Sequence, residues 1–399
     1  MSIGAELDSV VERIQGRIDD VAAAIPLRDK VTVRWSGNDQ TTELQDAITE
    51  AAFERLALDL PDGRDYITTD TLTIPSVFGF DWLSGPPSVG GTVHPTQRGF
   101  GTSLTWRGPD DGRPMVRCLA ANARLQLHLK GRALDSEPVP QNLVGLSFEK
   151  TVVASGKSLL GVRFDDMAVG LRCGKPGEWQ GHHCDTLTIP LFEAFGCKSA
   201  WELNNQQSMG HTVVYAHIFS ERFIDVWAGG KITVLKASIL GPCKVLTIRA
   251  ATADRPVSVG SGNGIYTFYG IEADAQTDGK LQLLDMETDA GIVADFHGVI
   301  LPKGSNLLID AKGGANVTVS GRNISAGSIR MQGVLKKNPT TGVKEWIQPY
   351  TSVGPAKLGG TTSGAALMTA DSTQCTLEWD KCTGGFTNER IEPGFETRN

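Results

Sequence analysis

The chain has 399 residues, 40% hydrophobic and 21% charged, with 46 glycines and a formal net charge of −7. This supply of apolar side chains excludes a disordered chain, and the acidic balance leaves no basic footprint for nucleic acid or an anionic membrane. No apolar run approaches the roughly 18 residues of a membrane span, and Met1 to Glu6 lacks the basic and apolar parts of a signal peptide, so folding in a cytoplasm is expected.

Residues 3–25 read as a helix. Leu7, Val11, Ile14, Ile18, Val21 and Ile25 form a heptad seam that Pro26 ends. β-branched residues at both seam positions favour trimers or higher assemblies over dimers. Segment 1–26 is therefore expected to trimerise the chain or anchor it to other proteins, although one amphipathic helix lying on the first layer of the fold accounts for the same pattern.

Asp39-Gln40-Thr41 precedes a short helical pattern through Leu44, Gln45, Ala47, Ile48 and Ala51. Leu58, Leu60-Pro61, Gly63, Tyr66, Leu72, Ile74-Pro75, Leu83, Gly85, Gly99, Gly101, Thr102 and Leu104 follow in strand-and-turn order. This stretch resembles the N-terminal cap of the pectate-lyase-like superfamily of parallel β-helix proteins, in particular its phage tailspike and virion members. The resemblance implies that the Asp39-x-Thr41 helix plugs the open end of a solenoid and that the Pro-x-Gly-x-Tyr turn leads into the first rungs. One residue is inserted between Gly63 and Tyr66, and a long Pro/Gly loop runs from Gly85 to Gly101. The superfamily includes lyases, hydrolases, epimerases and adhesins, so the resemblance bears on fold more than on activity.

From Leu159 to Ser320 a period-2 apolar alternation recurs. Leu160-x-Val162-x-Phe164, Leu187-x-Ile189-x-Leu191, Val214-x-Ala216-x-Ile218 and Leu235-x-Ala237-x-Ile239 start 27, 27 and 21 residues apart. Phe268-Tyr269-Gly270-Ile271 returns as Phe296-His297-Gly298-Val299 after 28 residues, and Leu283-Leu284-Asp285 as Leu308-Ile309-Asp310 after 25. Returns after a whole coil, with few hairpin turns between, favour a solenoid over a β-sandwich. The expected fold is all-β: a right-handed single-stranded parallel β-helix over 27–330, with Ile189, Leu191, Ala216, Ile218, Ala237 and Ile239 in inward columns. Residues 331–399, where the periodicity fades, are expected to cap the last rung or to wrap a neighbouring subunit.

Seven scattered cysteines contain no C-x-x-C, and an odd number excludes a complete disulfide framework, so most are expected to be reduced and buried. His182-His183-Cys184-Asp185, with Cys173 upstream, is the most metal-like group. Its spacing does not match zinc pairs, and adjacent histidines on a strand point to opposite faces, so no metal is expected. Gly260-x-Gly262-x-Gly264 is followed by a strand pattern rather than a helix, which removes the phosphate-cradling reading, and no cofactor is expected.

In the overlay of rungs Asp166 and Glu193 coincide, with Glu221 beside the next position. Stacked carboxylates about 5 Å apart, the strand spacing, would suit polysaccharide chemistry, and these are the catalytic candidates. Trp179, Trp201 and Trp227 near the ends of successive rungs could present platforms to sugar rings, or pack in the core or at a subunit interface. The sequence therefore points to a homotrimeric virion protein, tailspike-like or capsid-decorating. It would attach to other virion proteins through its N-terminal helix and contact host surface polysaccharide without rapid cleavage. A polysaccharide lyase or glycoside hydrolase of the same fold is the alternative.

Overall fold

The computed structural model describes residues 30–61, 64–83, 102–132, 136–149, 157–178, 184–205, 208–253, 255, 264–273, 280–300, 306–322, 325–332, 334–337, 344–347, 350–356, 367–370, 376–379 and 396–398. The N-terminal seam lies outside this set. So do Trp179, His182, His183 and the loop from Gly85 to Gly101.

Almost every strand pairing is parallel and joins a strand to its counterpart one coil later. Strand Thr188–Phe195, for example, lies between Ser158–Asp165 and His211–Phe219. The exception among the described residues is the antiparallel ribbon Val334–Lys337 with Lys344–Ile347. Two sheets of 17 and 11 strands result, the arrangement of a parallel β-helix, in which each rung buries its apolar side chains on its neighbours. Ladder pairing continues past residue 330, through Tyr350–Ala356, Thr376–Trp379 and Glu396–Arg398 in one sheet and Leu367–Ala370 in the other.

The long strands change phase half-way. Two consecutive residues are buried at Gly161-Val162, Ile189-Pro190 and Val213-Val214, and apart from Ala194-Phe195 at the end of its strand the other positions alternate. At such a slip a strand bends from one face of the solenoid to the next, so the larger sheet supplies two faces and the smaller sheet the third. In later rungs the bend falls at Gly270 and Gly298, with φ of 61° and 65°, where any side chain would be strained. The first face carries a polar outward column, Asp81, Arg124, Ser158, Thr188, Thr212, Thr233, Thr267, Asp295 and Thr318, each opposite the next.

Inside, an aromatic series follows the axis. Phe164 meets Phe192 at 5.7 Å, Phe192 meets Phe223 at 6.0 Å, Phe223 meets Phe268 at 6.5 Å, and Phe268 stacks on Phe296 at 5.0 Å. Five of the six expected inward residues are fully buried: Ile189, Ala216, Ile218, Ala237 and Ile239. The sixth, Leu191, is half-exposed because it follows the phase slip and shares an outward column with Tyr215 and Lys236.

The end of the coil is closed as the resemblance implies. Helix α1, Thr41–Glu54, turns Leu44, Ala47, Ile48, Ala51 and Ala52 onto the first rung. Asp39 accepts hydrogen bonds from the Thr41 amide (3.0 Å) and hydroxyl (2.6 Å) and from the Thr69 hydroxyl (2.6 Å). The Gln45 amide both accepts from the Thr73 N–H (2.7 Å) and donates to the Thr73 carbonyl (3.0 Å), pairing backbone groups that water would otherwise meet. No helix among the described residues is long and apolar enough to cross a membrane.

Candidate functional site

The second face, after the bend, carries the densest accessible chemistry. Its inward residues are Val162, Phe164, Phe192, Ala194, Ala216, Ile218, Ala237 and Ile239, all buried. The outward side chains between them form a row, His128, Arg163, Glu193, His217, Ser238 and Glu272, with each residue directly opposite the next. Two residues along each strand a second row runs Lys130, Asp165, Phe195, Phe219. On the other side stand Leu191, Tyr215 and Lys236.

These side chains hold one another. Asp165 Oδ2 lies 2.8 Å from His128 Nε2, and Arg163 Nε donates to both Asp165 oxygens at 2.9 and 3.1 Å. Burial pushes the Asp165 carboxyl up, but the hydrogen bond and charge of His128 and the charge of Arg163 outweigh it and hold the group below the usual carboxylate range. The Arg163 guanidinium sits 4.7 Å over the Phe195 ring, and His217 meets that ring edge-on at 5.1 Å. His217 Nδ1 is 3.7 Å from Glu193 Oε1, and the side chains of His217 and Glu193 remain 15% and 12% exposed. Phe219 is 44% exposed. The face thus offers an ionised carboxylate, a second carboxylate beside an imidazole, a guanidinium and, at Phe219, exposed aromatic surface, while the Phe195 ring is buried beneath Arg163 and His217.

A different carboxylate pair sits on the third face. Glu202 and Asp225 are opposite each other on adjacent strands. Arg172 Nε donates to Glu202 at 2.8 Å, and Arg255 bonds the other Glu202 oxygen and Asn204 Oδ1 (3.0 Å). Arg255 also lies 4.1 Å over Trp227, and Arg249 lies 4.9 Å over it. Burial would raise Glu202, but Arg172 and Arg255 overcome that and keep it ionised. For Asp225 burial prevails and raises it to about 6, Arg249 opposing and the Glu202 charge adding. Opposed shifts in neighbouring carboxyls are a feature of acid–base sites. Here, however, both side chains are only 4% exposed and Glu202 is gripped by two guanidinium groups. Glu202, with Asn204, ties Arg255 to the sheet.

The sequence candidates fare unequally. Glu193 lies in the second-face row. Asp166 does not stack on it: the residue opposite Glu193 is Arg163. Asp166 sits past the strand end at φ 56°, its carboxylate accepting from Arg132 Nε at 2.8 Å. The cause is the length of the coil: from Ser158 opposite Thr188 to Asp165 opposite Phe195 the partners lie 30 residues apart, against the 27 of the apolar overlay. Glu221 is exposed at the corner after strand His211–Phe219, its N–H bonded to the Cys197 carbonyl, away from the face of Glu193. Trp201 is fully buried, 6.1 Å from Phe192, and cannot meet a sugar. Trp227 is half-buried under two arginines on the third face. Asp165, His128, Arg163 and His217 were missed; the signal was their alternation with buried residues.

No known family profile matches the chain, and no curated protein matches it. Among solved structures it is similar to the catalytic domain of a GH87 alpha-1,3-glucanase in complex with tetrasaccharides, at 11% identity and a TM-score of 0.37, covering 94% of this chain and 69% of that one.

Proposed function

We propose that the protein engages a polysaccharide along its second face, by non-covalent recognition rather than rapid cleavage. The observation that carries this reading is the half-buried row from His128 to Glu272, flanked by Phe219 and Tyr215. Sugar hydroxyls are met by charged donors and acceptors, sugar C–H faces by aromatic rings, and rungs about 4.8 Å apart repeat these partners along a chain. Turnover by paired carboxyls needs one of them held protonated, and Asp165 is held ionised by His128 and Arg163.

A hydrolytic second reading has its own support. Asp165 lies two residues beyond the partner of Glu193, a diagonal of about 8 Å, within the range that leaves room for an attacking water. Display on a virion as a homotrimer, attached through residues 1–26, belongs to the proposal and would multiply weak contacts. The experiment is binding of the purified protein to a panel of bacterial surface polysaccharides, with product analysis on each. Binding that weakens at least about tenfold, roughly 1.4 kcal/mol, in Arg163→Ala, Glu193→Gln and Phe219→Ala is expected. Binding unchanged in all three overturns the site; products that vanish in Glu193→Gln replace recognition with hydrolysis.

A further inference from the structure

The outward row of the second face does not end at His128. Leu104 is opposite Leu129, which brings Ser103 level with His128, and Ser103 is opposite Asp65 on the strand one rung earlier. Lys130 reaches over the Ser103 rung to Asp65, Nζ to Oδ1 2.7 Å, and this ion pair, with Asp65 50% and Lys130 21% exposed, makes the surface beyond Arg163. Past it stands Trp35. Its indole N–H donates to the Asp65 carbonyl at 3.0 Å, and the bridge of Asp39 to Ile67 keeps the chain beside the same strand. A Cβ on Gly37, whose φ is 80°, would lie 3.3 Å from the ring, and the Arg64 guanidinium sits 5.4 Å from the ring centre. Held at these points, the ring is still 42% exposed. Phe219, towards the other end of the row, is seated in the same way: it is 44% exposed, and a Cβ on Gly241, φ 74°, would come 2.7 Å from its ring. Glycine at a left-handed turn lets each ring lie close on the backbone with no side chain to lift it. The other exposed aromatics among the described residues, Phe53 on helix α1 and Phe78 on the first face, lie off this row.

Given polysaccharide engagement along the second face, on which this assignment depends, we propose that Trp35 is a stacking subsite for a pyranose ring at the N-terminal end of that face. The ligand is then an extended chain that runs from Phe219 to Trp35, not a short saccharide. From the rung of Asp65 to that of His217 there are five strand spacings, about 24 Å, so a chain that touches both rings covers several sugar units. Between the rings its hydroxyls meet Asp65, Lys130, Arg163, Glu193 and His217. At the end of the path the indole offers apolar surface to sugar C–H groups, and the Arg64 guanidinium beside it offers donors to hydroxyls. Contacts joined through one ligand chain reinforce one another, so affinity gathers along the length.

The test takes the polysaccharide of the panel that the full-length protein binds most tightly, cuts it with mild acid, and separates the fragments by length for calorimetric titration. Wild-type affinity should rise with fragment length until the fragments span about 24 Å. In Trp35→Ala the rise should end at shorter fragments, and the longest fragments should bind at least about fivefold more weakly. Trp35→Phe, which keeps an apolar ring, should restore most of the length dependence, and Arg163→Ala should weaken binding at every length. Circular dichroism melts check that each variant is folded, and Trp35→Gln replaces Trp35→Ala if the latter is not. A wild-type length profile in the Trp35 variant, with Arg163→Ala weakened, overturns the subsite and leaves the second-face reading standing. A parent polysaccharide that the wild type does not bind, or that Arg163→Ala, Glu193→Gln and Phe219→Ala all bind as tightly as the wild type, removes the second-face reading and the subsite with it.

Discussion

Asp225→Asn should stabilise the protein above neutral pH, which is the reverse of the usual effect of breaking a buried ion pair. Asp225 is buried and accepts from the Ser199 hydroxyl at 2.9 Å. Arg249 Nε lies 3.1 Å from its other oxygen without hydrogen-bond geometry. Its carboxyl is raised from 3.8 to about 6. A carboxyl whose folded value exceeds its unfolded one binds more protons in the folded state, so it costs stability once both states are ionised and costs nothing below the unfolded value. The gap of about 2 units corresponds to about 3 kcal/mol lost at pH 8, of which about half is recovered by pH 5. Asparagine keeps a carbonyl for Ser199 but turns an NH2 towards Arg249 or solvent, so a gain of about 1–3 kcal/mol at pH 8 is expected. Urea unfolding followed by tryptophan fluorescence at pH 8 and pH 4 measures it, since Trp201 and Trp227 flank this face. The wild type should gain stability from pH 8 towards pH 5 relative to the variant, and the two should converge near pH 4. A variant less stable than wild type at pH 8 would refute the reasoning, because it would mean that Arg249 more than offsets the burial of the charge.

Two further substitutions test the core and the corners. Phe192→Ala removes a fully buried ring that touches Phe164, Trp201 and Phe223, and should cost about 3–5 kcal/mol in the same urea assay. A loss below about 1 kcal/mol would mean that the coil collapses around the gap. Gly131→Ala places a Cβ 1.8 Å from the Asp166 carbonyl oxygen, a backbone clash that no rotamer relieves. It should destabilise by at least about 2 kcal/mol, seen as a lower urea midpoint than that of the wild type.

Much of the fold was legible because it is local. Strand periodicity, the helix after Asp39, and the returns of Phe268 as Phe296 and Leu284-Asp285 as Ile309-Asp310 all reappear as paired positions. Ala216 and Ala237, overlaid at 21 residues, are likewise directly opposite. What a period-2 reading could not detect is the bend at Gly161-Val162, Ile189-Pro190 and Val213-Val214, where two successive residues face inward. A slip of one residue sends every later side chain to the other surface. Hence Leu191 faces outward; Glu193 lies opposite Arg163 and His217, and Asp166 drops out, because the coils there are 30 and 24 residues long rather than the 27 of the apolar overlay.

Sequence alone thus determined that these segments are strands of a capped coil, since side-chain alternation and helix-plug chemistry depend on residues a few positions apart. Only the tertiary structure decided which charges meet: Asp165 with His128, Glu202 with Arg255. Those encounters are set by the lengths of the loops between rungs and by the corner at which each strand bends, and neither leaves a periodic trace in the chain.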